Sequence, residues 1–189
     1  MPPKPKFTER EIVAAGVALV RRGGEAALTA RALASELGCS VCPIFTVFRD
    51  MEQVRERVLR AVRDLYNSYI EEGLGETLSF RGVGRHYILF AIREPRLFET
   101  LFMRAYEGAE IGTILPRADE RYRDILAAIR ADYGVGVAQA ETLYRHLWIY
   151  THGIATMCAT KTCAFRPEEI DGMITQVFKS LLRSVREEK

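Results

Sequence analysis

The sequence predicts an all-α protein of about nine helices, in which a three-helix helix-turn-helix unit precedes a larger helical unit. Apolar residues recur at spacings of three and four along most of the chain, and no segment alternates as an exposed strand would. Capping residues, glycines and prolines interrupt this pattern where helices should begin and end. The 189 residues are 48% hydrophobic and 28% charged, as in globular proteins that bury a core.

The first helix is predicted to start after Thr8. Thr8 and Glu11 have the spacing of a capping box, in which each side chain bonds the other residue's backbone amide. Apolar residues then follow at helical spacing to Val20, and the Gly23-Gly24 pair ends the helix.

A helix-turn-helix is predicted between residues 28 and 48. A second helix begins at Thr29, and a third begins after Ser40 and runs to about Phe48. Gly38 supplies the left-handed backbone that a sharp turn between two helices requires. Pro43 falls in the first turn of the third helix, where a missing amide donor costs little.

A long fourth helix is capped by Asp50 and ends near Gly73-Leu-Gly75. Its start divides the chain into an N-terminal domain, residues 1–50, and a C-terminal domain, residues 51–189, and the helix links the two. The predicted buried stripe consists of Met51, Val54, Val58, Val62, Leu65 and Tyr69.

Five more helices are predicted, at residues 79–93, 96–105, 117–133, 137–163 and 168–186. Pro95, Pro116 and Pro167 mark three of their starts, because proline suits the first helical position. Gly134-Val-Gly136 separates the two central helices.

Charge and composition narrow the class of protein. Residues 1–65 carry 11 Lys/Arg and 8 Asp/Glu, a difference of +3, which favours a phosphate-bearing partner there but also fits a solvated surface. No apolar run approaches the roughly 20 residues that span a bilayer. The start lacks the apolar stretch of a signal peptide, so we expect a cytoplasmic protein with reduced cysteines and no membrane partner.

Residues 8–54 resemble the DNA-binding domain of the tetracycline-repressor (TetR-type) family. The resemblance rests on Leu28-Thr-x-Arg-x-Leu-Ala-x-x-Leu-Gly-x-Ser40, on the aromatic pair Phe45 and Phe48, and on the capped helix after Asp50. In the second half, Trp148-x-x-x-His152-Gly153 resembles a motif of one group of that family's C-terminal domains, and Phe90 to Phe98 fits the same group.

The resemblance implies a ligand-responsive transcription regulator, expected to be a repressor. It would bind palindromic double-stranded operator DNA as a homodimer and would respond to a small-molecule effector, with no cofactor and no metal. The alternative is a helical small-molecule-binding or interaction protein with weak or lost DNA binding. An enzyme is not expected, because the sequence has no P-loop, HExxH or GxSxG motif.

The resemblance also assigns DNA contacts. Thr29 and Ser40 would cap their helices and present backbone amides to phosphates, and Arg49 would bind a phosphate. The remaining expected contacts are base contacts by Thr46, thymine-methyl contacts by Val41 and Pro43, a backbone contact by Phe45, and a flexible arm with Lys4 and Lys6.

Five positions depart from the family pattern. Family members often have Ser-Lys-Gly-Thr followed by Tyr, whereas this chain has Ser40-Val-Cys-Pro43 followed by Phe45. Met51 stands where a lysine is common. Two groups that contact phosphate in the family, a lysine amine and a tyrosine hydroxyl, are therefore missing.

Effector and dimer residues are expected in the second half. Aromatic residues at helical spacing line a pocket or pack in a core, and His152 either contacts a ligand or bonds within the core. The expected ligand-binding residues are Tyr87, Phe90, Phe102, Tyr106, Tyr122, Tyr144, Trp148 and His152. The wide apolar stripe of the last helix favours a dimer face, or else a well-buried terminal helix, through Ile174, Val177, Phe178, Leu181 and Leu182.

The cysteines allow two interpretations. Cys39 and Cys42 have CxxC spacing, which occurs in thiol sensors and in half of a zinc site. Without a second such pair, we interpret them as small packing residues, and likewise Cys158 and Cys163 on their helix.

Overall fold

A computed structural model describes residues 6–104, 115 and 120–187, and over these residues the protein is all-α. It has eight α-helices and two single 3₁₀ turns, with no strand in this part of the chain. The helices are α1 (Glu9–Gly23), α2 (Ala30–Glu36), α3 (Met51–Leu74), α4 (Ser79–Arg93), α5 (Pro95–Phe102), α6 (Tyr122–Tyr133), α7 (Val137–Ala159) and α8 (Pro167–Glu187). None of the described helices is long and apolar enough to cross a membrane.

The chain forms two compact units. The first contains the residues up to Leu65 together with Arg96–Arg104, and the second contains Tyr66–Pro95 together with the described residues after 104. The division therefore falls inside α3, whose two ends belong to different units, and α5 is largely part of the first unit.

The caps of the first unit follow the sequence. Thr8 accepts a hydrogen bond from the backbone amide of Glu11 at 3.2 Å, and the Glu11 carboxylate accepts one from the amide of Thr8 at 2.8 Å, which confirms the capping box. The hydrogen bonds that the Glu11 carboxylate accepts from the Thr8 amide, and to a smaller extent from the Thr8 hydroxyl, hold the pKa of this carboxyl below its ordinary value. Gly38 adopts φ 61° after α2, as the predicted turn requires.

The third helix was predicted wrongly. Residues after Ser40 form a loop that ends in a single 3₁₀ turn, Ile44–Thr46, instead of an α-helix from 41 to 48. Amides bond to carbonyls three residues back, as from Ile44 to Val41 at 3.2 Å. Proline at 43 has no amide to donate, and β-branched neighbours are poor helix formers, so the segment is too weak to continue as an α-helix.

The buried stripe of α3 differs from the prediction over its last turns. Tyr66 and Ile70 are 1% and 0% exposed, whereas Leu65 and Tyr69, which we expected to be buried, are only half-buried. The buried positions continue at a spacing of four from Val62, and this row brings Tyr66 to the inside of the second unit.

The second unit is held by close packing of α4 on α7, and α6 and α8 each pack against both of these helices. The bounds of α4 agree with the prediction and those of α8 agree to within one residue, but α7 ends at Ala159 rather than near 163. α6 begins at Tyr122 rather than near 117, and residues 116–119, where its start was expected, lie outside the described residues. α3 and α4 meet at Gly73 and Gly82, whose backbones lie so close that a Cβ at Gly73 would lie 2.7 Å from the Gly82 carbonyl carbon. Glu76 bridges the turn by accepting hydrogen bonds from Arg85 and from His86 at 3.0 Å, a partner for His86 that the sequence did not predict.

Candidate functional site

The exposed face of the first unit is built around the turn after α2. Thr29 caps α2 as predicted, accepting a hydrogen bond from the amide of Ala32 at 3.2 Å. Behind the turn, the amide of Cys39 donates to Ala34 at 2.9 Å, which fixes the direction in which the chain leaves α2. The segment that follows is therefore held in place by backbone bonds at its start.

This segment exposes a short apolar and hydroxyl surface. Phe45 is 40% exposed, whereas Phe48 is buried. Thr46 is exposed, and its hydroxyl donates to the carbonyl of Pro43 at 2.7 Å, so an oxygen lone pair remains for an incoming donor. Val41 and Pro43 are half-buried beside it.

Arg49 carries the positive charge next to this surface. Its guanidinium donates to Asp50 at 2.7 Å, yet 79% of its side chain is exposed. Asp50 also caps α3 by accepting from the amide of Gln53 at 2.9 Å, and the Gln53 side chain accepts from the amide of Arg49 at 2.8 Å. The hydrogen bond from the Gln53 amide has the largest effect on the pKa of the Asp50 carboxyl, and the bond from Arg49 the next largest. Both keep this pKa below its ordinary value.

The structure bears on the roles expected of Ser40, of the two cysteines and of the two N-terminal lysines at this face. Ser40 is exposed but caps no helix, because the 3₁₀ turn begins only at Ile44 and its first position is preceded by Pro43. Cys42 is exposed, so its interpretation as a packing residue is wrong, while Cys39 is half-buried. Lys6 is exposed, and Lys4 lies outside the described residues.

A second candidate site is a cavity inside the second unit. About 20 Å³ of it is free, enough for one water molecule. Its walls come from α3, α4 and α7, and they consist of Tyr66, Phe80, Val83, Gly84, Tyr87, Tyr144, Leu147, Trp148 and Thr151.

The polar groups at this cavity form a short chain. The hydroxyl of Tyr87 lies 2.8 Å from Nδ1 of His152, and the imidazole stacks on the Trp148 indole at 4.8 Å and 10°. Burial lowers the pKa of His152, so the neutral imidazole is favoured and Nδ1 can accept a hydrogen bond from the Tyr87 hydroxyl. The buried Nε1 of Trp148 has no hydrogen-bond partner among the described residues.

The structure brings together only part of the predicted ligand set. Tyr87, Tyr144 and Trp148 line the cavity, His152 bonds its wall, and Tyr122 contacts Tyr144 at 5.3 Å between ring centres. The other predicted residues lie elsewhere: Phe90 packs on Tyr66 and Tyr69, Phe102 packs on Phe98 in the first unit, and Tyr106 is outside the described residues.

The other wall residues of the cavity were not predicted from the sequence. Tyr66 was placed outside the predicted stripe of α3, although continuing that stripe at a spacing of four would have found it. Gly84 has no side chain to attract attention, yet its backbone is part of the wall. Thr151 is buried, and its hydroxyl donates to the carbonyl of Leu147 at 2.9 Å.

The last helix presents a partly apolar surface beside this cavity. Ile174 is 2% exposed and belongs to the core of its own unit, whereas the other predicted dimer residues, Val177, Phe178, Leu181 and Leu182, are half-buried. Phe178 packs on Tyr133 at 4.6 Å and on Phe80 at 5.8 Å. Together with Leu78 and Leu182 it lines a groove of about 380 Å³.

Comparison with known proteins then decides the family. The family model described as "Tetracyclin repressor-like, C-terminal domain" matches residues 80–184, which is more than half of the chain. The chain belongs to the TetR family. The match covers the second unit from α4 to the last turns of α8, and hence all of the cavity wall except Tyr66.

Solved structures agree with this TetR fold. A transcriptional regulator from Rhodococcus sp. Rha1 superposes with a TM-score of 0.66 at 18% identity, over 94% of this chain and 97% of its own. A protein assigned to the TetR-family transcriptional regulators of Mesorhizobium loti MAFF303099 superposes with a TM-score of 0.55 at 16% identity, over 93% of this chain and 95% of its own. No curated protein matches the chain. The all-α fold and the transcription-regulator class predicted from the sequence are thereby confirmed.

Proposed function

We propose that this TetR protein is a ligand-responsive repressor that binds palindromic operator DNA as a homodimer. The observation that carries the proposal is the turn at Gly38, which joins the capped helix α2 to a segment exposing Phe45, Thr46 and Arg49. Helix-turn-helix proteins present such a segment to the major groove, and a two-fold pair of them matches a palindrome.

Two kinds of DNA contact are proposed at this face. The backbone amides at the start of α2, next to Thr29, and the Arg49 guanidinium would bind phosphates. The Thr46 hydroxyl would meet base edges, with Val41 and Pro43 against thymine methyls. Ser40, Phe45 and Lys6 would contact the sugar-phosphate backbone as exposed neighbours.

Fluorescence anisotropy on operator DNA selected from random sequence tests these contacts. Arg49→Ala should weaken binding to all sequences and lower the salt slope by about one ion. Thr46→Ala should instead change preference at one base position by about 1 kcal/mol or more. Arg130→Ala, which removes the same charge from an exposed position on α6, is the control and should bind like wild type. Wild-type binding by both Arg49→Ala and Thr46→Ala would exclude this face as the DNA reader.

The effector is proposed to bind in the aromatic cavity of the second unit. The wall residue Tyr66 lies on α3, whose N-terminal half is part of the first unit, so a ligand that displaces Tyr66 acts on a helix shared by both units. A ligand changes the DNA-binding state only if it binds the two conformations with different affinity. Displacement of this wall is a direct source of such a difference.

The dimer is proposed to form through α7 and α8. Half-buried Phe178 and Leu182 border an apolar groove on α8, and a second copy of the chain would cover it. Phe178→Asp combined with Leu182→Asp should yield monomer or unfolded protein in light scattering. Gln176→Asp, an exposed position on the same helix, should leave the dimer unchanged. An intact dimer in the double variant would locate the interface elsewhere.

A helical interaction protein with weak DNA binding is the second candidate. It is favoured by the 3₁₀ turn at Ile44–Thr46, which replaces a full recognition helix, and by the absence of Lys and Arg from residues 40–48. The same selection experiment separates the two candidates. Enrichment of a palindromic site supports the repressor, and a pool without enrichment supports the interaction protein.

A further inference from the structure

We propose that the effector is a neutral, ring-bearing molecule with a hydrogen-bond acceptor, such as a carbonyl or ether oxygen, that pairs with the indole N–H of Trp148. The inference deepens the proposed effector site and rests on it. Three observations about the cavity carry it: the charge of its wall, the shape of its wall and the state of its polar groups.

The wall carries no formal charge. The nine lining residues include no Asp, Glu, Lys, Arg or His, and burial lowers the pKa of His152 behind the wall, which favours its neutral imidazole. A charged ligand would lose its hydration here without gaining a counter-charge, at a large cost in free energy. The wall therefore selects against carboxylates, phosphates and ammonium ions.

The wall is also largely aromatic. Tyr66, Phe80, Tyr87, Tyr144 and Trp148 supply five of its nine residues, and their rings meet one another edge-on or tilted, as between Tyr66 and Tyr87 at 6.0 Å and 85°. Aromatic faces and edges bind a flat ring well in offset or T-shaped geometry. A single ring exceeds the roughly one-water space that is free, so its entry must displace part of the wall that α3, α4 and α7 form.

The polar groups leave a donor available. The Tyr87 hydroxyl is engaged with His152, and the Thr151 hydroxyl with the carbonyl of Leu147. Trp148 differs, because its Nε1 is buried and has no partner among the described residues. A buried indole N–H without a partner destabilises the folded protein, and an acceptor on the ligand would remove this cost. The ligand is thus expected to offer an acceptor.

Three small probes test the class. Acetophenone has a ring and a carbonyl, benzoate adds a charge, and ethylbenzene lacks the acceptor. Trp148 is the sole tryptophan of the chain, so its fluorescence reports directly on this wall. Acetophenone should quench it saturably, and benzoate at pH 7 should bind at least ten-fold more weakly. Equal or tighter binding of benzoate, or no saturable binding of acetophenone at millimolar concentration, overturns the proposal.

A variant then tests the acceptor. Trp148→Phe keeps a ring but removes the indole N–H, and binding is followed by saturation-transfer NMR on the ligand. Acetophenone should lose about five-fold in affinity, the size of one neutral hydrogen bond, while ethylbenzene should change by less than two-fold. Equal losses for both probes would show that Trp148 acts by shape alone and would overturn the acceptor. Circular dichroism checks that the variant is folded. The titrations of the wild type with the three probes test the ligand class even if the variant does not fold.

The outcome for DNA is measured separately on the same protein. Operator anisotropy without any probe reports on the proposed function, and the probe titrations without DNA report on the ligand class. If the protein does not bind operator DNA but binds the three probes with the expected relative affinities, only the proposal of a repressor is contradicted. Intact DNA binding with the wrong probe order contradicts the ligand class alone.

Discussion

The two compact units differ in where their functional groups lie. In the first unit the candidate groups are on the outside, where short-range caps and a turn hold Phe45, Thr46 and Arg49 in place. In the second unit they are inside, where Tyr87, Trp148 and His152 meet only because α4 packs on α7. An outward site depends on local backbone geometry, and an inward site depends on long-range packing, so they should fail under different substitutions.

The largest effect is expected from Phe48→Ala. Phe48 is 2% exposed in the core of the first unit, and removing a buried phenyl ring typically costs about 3–5 kcal/mol. Phe45→Ala is the matched control, because Phe45 is 40% exposed and should change stability by less than about 0.5 kcal/mol. Urea denaturation followed by circular dichroism measures both. Similar losses in the two variants would mean that Phe45 is also a core residue.

The same contrast explains what the sequence predicted well. Caps and turns depend on residues within four positions, so Thr8 with Glu11, Thr29 and Gly38 were placed correctly. The bounds of α4, Ser79–Arg93, were also predicted, because a turn precedes it and Pro95 follows. The prediction of the third helix was wrong because it treated Pro43 as harmless in a first turn, whereas the segment around Pro43 forms only a 3₁₀ turn.

The cavity could be predicted only in part, because aromatic spacing alone does not separate a wall from a core. Phe90 and Tyr87 share a face of α4 and are both buried, yet only Tyr87 borders the free space. Phe102 lies in another unit, which no spacing along the chain reveals. The assignment depends on which helices meet, and that information is long-range.

The next largest effect is expected from Gly82→Ala in the second unit. A methyl group there would overlap the carbonyl oxygen of Gly73, and backbone cannot yield as a flexible side chain can. The loss should reach about 2–3 kcal/mol, at the upper end of overpacking costs. Gly153→Ala is the control, since a Cβ at that helical position meets nothing within 4 Å, and it should stabilise the fold by about 0.5–1 kcal/mol. Both are read from urea denaturation, and a neutral Gly82→Ala would mean that α3 and α4 can separate at little cost.

A smaller effect is expected from mild acidification, through His152 in the second unit. Burial lowers the folded-state pKa of His152 below its ordinary value of 6.5, so the unfolded chain takes up a proton at a higher pH than the folded protein does. This contribution to stability is complete above pH 6.5 and is lost progressively as pH falls from there towards the folded pKa. His152→Gln should remove that part of the decline in Tm between pH 7 and 5.5.

The exposed histidine of α7 provides the control for this prediction. His146→Gln removes one imidazole from the same helix without touching the buried one, so its Tm should fall with pH as the wild type does. Thermal melts by circular dichroism at four pH values suffice. An unchanged slope in His152→Gln would show that the Tyr87–His152 pair does not couple protonation to folding.

The smallest effect is expected from removing the two thiols of the first unit, those of Cys39 and Cys42. Replacing Cys39 and Cys42 together by Ala should change operator affinity by less than about two-fold, as surface substitutions away from special features usually do. Cys42 is exposed, and the backbone bond from Cys39 to Ala34 at 2.9 Å does not involve the side chain, so the turn should survive. No group of three or more potential metal ligands occurs in the described part of the chain, so zinc should leave the wild type unchanged as well. Hydrogen peroxide should have the same effect on the operator affinity of the wild type and of the double variant. A loss under peroxide or zinc that the variant abolishes would instead make this CxxC pair a sensor at the DNA-facing turn.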